Sequence, residues 1–219
     1  GLVIQHFTPP LALAQFKAIA FDMDSTLISI ECIDEIADAV GKKAEVAAIT
    51  EAAMRGEITD FKDSLCRRVA LLKGVPAESL QEVYDQRLKI NPGAPELINA
   101  AKAAGLQTLL VSGGFTFFAD RVRERLGMHE AHSNTLEIEG GLLTGRVLGD
   151  IVDGEAKKQH LLKLCARLGC DPRQSIAVGD GANDLLMMGV SGLSVAYHAK
   201  PKVREQAMVA INEGGLDRV

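Results

Sequence analysis

The amino-acid sequence predicts an α/β protein: a doubly wound, mostly parallel, Rossmann-like sheet with a small helical cap inserted after the first strand. Three observations carry that expectation. Short apolar runs at 18–21, 106–111, 175–178, 193–196 and 208–211 read as buried strands, and helical stretches alternate with them. Three of these runs end in polar segments: Asp22-Met23-Asp24-Ser25-Thr26, Ser112-Gly113-Gly114 and Gly179-Asp180-Gly181-Ala182-Asn183-Asp184. Open sheets of this class place ligands outside the carboxyl ends of their strands. Between 36 and 90, by contrast, no buried-strand run occurs, and the stretch is too long for a single crossover helix.

Taken in order, residues 1–16 have no clean period and read as a leader or the remnant of an upstream region. The strand at 18–21 follows, then a helix over 31–40 with apolar residues at Ile33, Ile36, Ala37 and Val40. Segments 45–54, 60–72 and 77–88 are amphipathic or alanine-rich, separated by Gly41, Gly56 and Gly74-Val75-Pro76. Residues 36–90 are therefore expected to form the helical cap, and 17–35 with 91–219 a discontinuous core. Asn91-Pro92-Gly93-Ala94-Pro95 punctuates the return to the core, ahead of a helix over 96–104 and the strand at 106–111. A helix is expected over 115–126. Residues 127–133 read as a loop with solvated His129 and His132, and 136–147 as a hairpin around Gly140-Gly141. A helix over 155–168 ends at Gly169, and the strands at 175–178, 193–196 and 208–211 complete the sheet.

Composition narrows the class. The 219 residues are 47% hydrophobic and 24% charged, ordinary for a globular protein of one or two domains. A net charge of -5 and a pI near 5.6 argue against a nucleic-acid surface. No apolar run approaches the ~18 residues of a membrane span, and the proline-containing start lacks the basic region of a signal peptide. Cys32, Cys66, Cys165 and Cys170 show no C-x-x-C spacing and read as free thiols of a reducing, cytoplasmic compartment.

The chemistry concentrates at the strand ends. Asp22 and Asp24 follow a strand two residues apart; at about 4 Å and an effective dielectric near 20 their repulsion is roughly 4 kcal/mol. A cation, a shared proton or hydrogen-bond donors must offset that cost. Ser112 with Gly113-Gly114 offers a hydroxyl and open N–H groups at a helix start, which suits an anion, though an ordinary turn has the same form. Lys157 and Lys158 open a helix where the dipole disfavours cations; most such lysines are solvated, though a site holding several carboxylates and a phosphate would want one of the two. Asp180 and Asp184 flank a strand-to-helix junction, with Asp184 readable either as a ligand or as a first-turn charge. An oxygen-rich set without histidine or cysteine favours Mg²⁺ over zinc. Neither the P-loop pattern nor G-x-G-x-x-G occurs, and no histidine is tied by sequence to Ser25 to suggest a serine-hydrolase triad.

Assembled, these segments resemble the haloacid dehalogenase superfamily of phosphohydrolases over residues 17–211. The match is to Asp22-x-Asp24-x-Thr26, the strand-end Ser112, the helix Lys157 and Gly179-Asp180-x-x-x-Asp184. Glu31, Gly113-Gly114-Phe115, Asn183 and the helical insertion narrow it to the branch acting on phosphoserine. The resemblance implies Mg²⁺-dependent hydrolysis of O-phospho-L-serine to L-serine and phosphate, the last step of serine synthesis. Asp22 would be the nucleophile and Asp24 the acid and base. Mg²⁺ would be held by Asp22, the Asp24 carbonyl and Asp180, with Asp184 beside it. Ser112, Gly113, Lys157 and Asn183 would contact the phosphoryl group. Glu31 would face the substrate ammonium, Arg68 its carboxylate, and Phe61 and Met54 the pocket wall. Phosphotransfer, hydrolysis of another small phosphorylated metabolite, and a non-catalytic phosphate- or metal-sensing domain stand as the alternatives.

Overall fold

The computed structural model describes residues 2–4, 12–54 and 57–219, excepting the side chains of 2–4 and 53–54. Its strands are β1 (Leu2–Ile4), β2 (Ala18–Phe21), β3 (Gln107–Phe115), β4 (Glu130–Glu139), β5 (Leu142–Leu148), β6 (Ser175–Gly179), β7 (Leu193–Tyr197) and β8 (Val209–Ile211). They form one sheet in the order β1-β8-β7-β6-β2-β3-β4-β5. From β8 to β4 the pairings are all parallel, and only the outer pairs β1–β8 and β4–β5 are antiparallel. The helices are α1 (Cys32–Ala39), α2 (Lys43–Met54), α3 (Phe61–Ala70), α4 (Glu78–Gln86), α5 (Ala94–Ala103), α6 (Thr116–Leu126), α7 (Gly154–Leu168), α8 (Leu185–Val190) and α9 (Pro201–Gln206).

β2 is central, and all four of its residues are buried, as befits a parallel strand covered on both faces. Its two faces differ in bulk. Ile19 and Phe21 join Leu110, Ile176 and Val178 in a large apolar cluster that takes in Leu97 and Ile98 of α5 and Phe118 and Val122 of α6. Ala18 and Ala20 point the other way, joining Ala177 and Ala196 under Leu161, Leu164 and Cys165 of α7. Period-two alternation thus puts small side chains beneath α7 and large ones beneath α5 and α6. Because the register aligns Phe21 with Leu110 and Val178, the strand ends of β2, β3 and β6 open at one level.

Helices α1 to α4 leave and rejoin the core through two adjacent crossings. Ile28 and Ile90 form an antiparallel bridge, Ser29 N–H donates to Lys89 O (2.9 Å), and Asn91 N–H donates to Leu27 O (2.8 Å). The Asn91 amide adds bonds to Thr26 O (2.7 Å) and Ile28 O (3.0 Å). The far side of this insertion leans on the β4–β5 hairpin, where Gly74 N–H donates to Leu143 O and Leu143 N–H to Val75 O, both 2.8 Å. Apolar residues of the insertion, Ile36, Leu65, Val69 and Leu80 among them, are continuous with the cluster under the sheet.

Three segments differ from the sequence reading. The second strand does not stop at 111: β3 runs through Ser112-Gly113-Gly114 to Phe115, and α6 starts at Thr116. Residues 127–133 are not all loop, because β4 starts at Glu130 and pairs 130–132 with 109–111 of β3. Nothing apolar marks Glu130 and His132 as strand; pairing with β3 overrides their composition. The histidines there are engaged rather than solvated: the His129 ring nitrogen lies 3.0 Å from Thr108 N, and His132 stacks on His160 at 4.0 Å. Within the stretch read as leader or remnant, Leu2–Ile4 pair with β8 and Leu13–Gln15 form a 3₁₀ turn, while 5–11 lie outside the described residues.

Replacing Asn91 with Ala removes both carbonyl contacts at the crossing and leaves two acceptors poorly satisfied. The expected loss of stability is about 1–3 kcal/mol. Urea unfolding measures it, and an unchanged midpoint would show that the backbone bonds alone hold the crossings together.

Candidate active site

After β2 the chain turns sharply. Asp22 is extended (φ -67°, ψ 160°), while Ser25 takes the left-handed region at φ 56°, an uncommon conformation for serine. Asp22 Oδ1 accepts from Met23 N–H at 2.7 Å. Asp24 Oδ2 accepts from Cys32 N–H at 3.1 Å, the first amide of α1, while its Oδ1 is buried with no hydrogen-bond partner among the described residues. Thr26 is fully buried, and its hydroxyl donates to Asp180 Oδ1 at 3.1 Å, tying the β2 turn to the end of β6.

Beyond β6, Asp184 folds back over its own loop. Its Oδ2 accepts from the N–H groups of Asp180 (3.2 Å) and Gly181 (3.1 Å). A Cβ on Gly179 would lie 2.3 Å from that same oxygen, so only glycine fits there. Lys157, in the first turn of α7, completes the group from behind. Its ammonium is fully buried, 3.0 Å from Asp22 Oδ1 and 2.8 Å from Asp184 Oδ1. Carboxylate oxygens of Asp22, Asp180 and Asp184 all lie within 4.8 Å of one another.

One buried ammonium faces three carboxylates, and burial together with the negative charge left over disfavours the ionised acids. Burial first, then the Asp184 charge, pushes the Asp22 carboxyl well above the usual range, with Lys157 opposing only in part. Asp180 is raised to about 7 by burial, Asp184 and Glu31. Burial and Glu31 raise Asp24 to about 7, against the Cys32 N–H bond that favours its charged form. For Lys157 burial pulls the other way, but Asp184 and Asp22 outweigh it, so its charge is held. An all-oxygen cluster carrying uncompensated negative charge fits a hard divalent cation.

The end of β3 contributes a strip of hydroxyl and glycine backbone to the same place. Ser112 is 1% exposed, and its Oγ accepts from Gly114 N–H at 2.9 Å. Phe61 of α3 lies against this strip: a Cβ at position 113 would come within 2.9 Å of its ring. Asn134, also 1% exposed, donates to Gly113 O (2.9 Å) and accepts from Val152 N–H (2.8 Å). Sequence reading gave Asn134 no role, and none to Thr26 beyond motif membership.

These elements surround a cavity of about 900 Å³. Asp22, Asp24, Ser112, Gly113, Asp180 and Asn183 line its core side, and Glu31, Phe61 and Arg68 line the side of the insertion. Glu31 Oε1 accepts from the Ser25 hydroxyl at 2.5 Å, and Arg68 Nε donates to Ser64 O at 3.3 Å. Met54 ends α2, and its side chain lies outside the described residues. Asp184 and Lys157 sit beneath the cavity rather than on its wall, so Lys157 reaches the site through the carboxylates it bonds.

Comparison with known proteins agrees with this geometry. A sequence profile of haloacid dehalogenase-like hydrolases matches residues 16–192. A phosphoserine phosphatase of Polaromonas sp. (strain JS666) is 68% identical over 100% of this chain and 94% of its own length. Among solved structures, a phospho-aspartyl intermediate analogue of phosphoserine phosphatase superposes with a TM-score of 0.86 at 39% identity, covering 93% of this chain and 96% of its own. A substrate-bound phosphoserine phosphatase complex gives 0.84 at 39% identity, over 90% and 93%.

The acid cluster sets a pH dependence. Unfolded aspartates titrate near 4, whereas Asp180 does so at about 7 when folded. The folded state therefore keeps protons that the unfolded chain has released, and the cation-free protein loses stability as pH rises across that window. A divalent cation competes with those protons. The rise in Tm on adding MgCl₂ should thus be larger at about pH 8 than at about pH 5; an equal rise at both would mean that the cation binds elsewhere.

Proposed function

This chain belongs to the haloacid dehalogenase-like hydrolases, and on that footing we propose that it hydrolyses O-phospho-L-serine to L-serine and phosphate through a phosphoenzyme on Asp22. One observation carries the reading. A strand-end aspartate, backed by a buried lysine and grouped with two more acids, stands two residues from a second aspartate titrating near neutrality. Relatives of this chain bear the names phosphoserine phosphatase and phospho-aspartyl intermediate analogue.

Phosphate-monoester hydrolysis needs acceleration of up to ~10²¹-fold, more than one device supplies. Asp22 attacks phosphorus, and the bond to the serine oxygen breaks. Asp24 donates its proton to that departing oxygen. Its carboxylate next takes a proton from water, which attacks the aspartyl-phosphate and releases phosphate and Asp22. A carboxyl titrating at about 7 is available in both forms at neutral pH, as this exchange requires. Asp22, Asp180 and the Asp24 carbonyl, with Asp184 adjoining, would hold Mg²⁺, which would supply positive charge against the acids and a phosphoryl oxygen. Lys157 neutralises Asp22 and Asp184 from below and adds its charge to the phosphoryl site. Ser112 already accepts from Gly114, which leaves its O–H to donate to a phosphoryl oxygen beside the Gly113 N–H and Asn183.

The remainder of the substrate carries an ammonium and a carboxylate, and the insertion side of the cavity offers one partner for each. Glu31 takes the ammonium, Arg68 forks onto the carboxylate, and Phe61 closes over the strip at Gly113. Met54 is assigned to that wall on the resemblance alone, its side chain lying outside the described residues. In this reading the insertion bounded by Ile28 and Ile90, which takes in residues 36–90, serves as a cap over the core. All four cysteines are free thiols, in keeping with a reducing, cytoplasmic setting. No helix among the described residues is long and apolar enough to cross a membrane.

Phosphate release from O-phospho-L-serine should require Mg²⁺, vanish in Asp22→Asn, and slow by about 10²- to 10⁴-fold in Asp24→Asn. Acid quenching during turnover should trap phosphate covalently on the unsubstituted protein but not on Asp22→Asn. Turnover that survives in Asp22→Asn, or a quench that traps no phosphate while turnover proceeds, would overturn the covalent route.

A further inference from the structure

Helix α1 carries Asp34, Glu35 and Asp38, and these acids divide in two directions. Glu35 and Asp38 both bond to Arg87, at 2.7 and 2.6 Å, on the outer side of the insertion. Asp38 also approaches Lys43 at 3.8 Å. Asp34 instead lies on the wall of the cavity, together with Arg68 of α3. An acid in a first helical turn is favourable to the dipole wherever it points. That explains an acid here but not its aim into the cavity.

The charges of Asp34 and Arg68 act chiefly on each other. Arg68 is the leading charge felt by Asp34, ahead of Lys43 and Glu35, and Asp34 is the leading charge felt by Arg68, ahead of Glu31 and Asp24. Yet they do not touch: among the described residues Arg68 makes no direct ion pair, and the bond holding its side chain is Nε to Ser64 O at 3.3 Å. That bond uses the inner nitrogen and leaves the terminal fork without a partner among the described residues. A guanidinium in a partly buried cleft is disfavoured by lost solvation, and a nearby carboxylate offsets this even without contact. Had Asp34 bonded the fork, a substrate carboxylate would first have to displace it. Standing off, it supports the charge and leaves the donors open.

We infer that Asp34 is a specificity-determining positioning residue, which keeps the Arg68 fork facing the cavity for the carboxylate of an amino-acid headgroup. Its negative charge, beside that of Glu31, also favours a headgroup that brings an ammonium with its carboxylate over one that brings carboxylate alone. The inference rests on the phosphoserine reading.

Asp34→Asn keeps size and shape and removes the charge. It should raise KM for O-phospho-L-serine by about five- to tenfold with kcat nearly unchanged, and leave KM for p-nitrophenyl phosphate, which has no headgroup, where it was. Product inhibition separates the two halves of the site: inhibition by L-serine should weaken by a similar factor, while inhibition by inorganic phosphate stays constant. Asp34→Glu should restore most of the effect. An unchanged KM for phosphoserine, or an equal rise for both substrates, would overturn the role of Asp34. An unsubstituted enzyme that cleaves p-nitrophenyl phosphate but not phosphoserine would instead overturn the reading beneath it.

Discussion

The buried contact of Lys157 with Asp22 and Asp184 is the constraint around which the rest of this structure is arranged. Taking a single carboxylate or ammonium out of water costs several kcal/mol even after relaxation. Here a fully buried ammonium meets Asp22 and Asp184 at hydrogen-bond distance, with Asp180 close by. Lys157 cannot balance all of them, and burial first, then the Asp184 charge, hold the Asp22 and Asp180 carboxyls above the usual range. Such a group persists only where the surrounding framework fixes every member. Stability is given up locally, at the acidic cluster that suits a divalent cation.

The framework that fixes it is set by side-chain size on the two faces of the sheet. Alanines at 18, 20 and 177 let α7 lie close, with Leu161, Leu164 and Cys165 packed on them. Close docking brings the first turn of α7 down to the level of the strand ends, and with it the Lys157 ammonium. A cation in a first turn opposes the helix dipole, but the same turn is capped by Asp153, whose carboxylate accepts from Ala156 N–H at 2.9 Å. Cap and packing therefore tolerate a lysine that neither the helix nor the apolar face would select for itself.

Much of this was legible in the sequence, because the relevant signals are local. Buried parallel strands read as short apolar runs, and the acids of the site stand immediately after two of them, so Asp22, Asp24 and Asp180 announce themselves by position. What was not legible acts over long separations. Thr26 reaches Asp180 from 154 positions away, and Asn91 returns to Thr26 across 65. Asn134 is the clearest case: it lies in the first half of β4, where no apolar period marks a strand, and its bonds to Gly113 and Val152 arise only once β4 has paired with β3. Lys157 does lie against two of the acids, Asp22 and Asp184. Its place beneath the carboxylates, rather than on the cavity wall, depends on how near α7 approaches the sheet, a distance no periodicity encodes.

The glycines show the same limit at single-residue scale. Gly127 and Gly169 end α6 and α7 with φ of 65° and 64°, so they serve backbone conformation at helix ends. Gly179, Gly113 and Gly181 have no positive φ and are there for space. A Cβ would meet the Asp184 carboxylate at 2.3 Å, the Phe61 ring at 2.9 Å and Asn183 Oδ1 at 2.7 Å, in that order. Each of the site glycines is small because a group of the active site already occupies the volume a side chain would need. The first of these contacts could not yield cheaply, since Asp184 is pinned by Lys157 and by two backbone N–H groups. In the sequence both kinds of glycine follow an apolar segment and look alike. They separate only when the partner that fills the space is seen, and at Gly179 that partner is held in place by the same buried lysine that organises the acids.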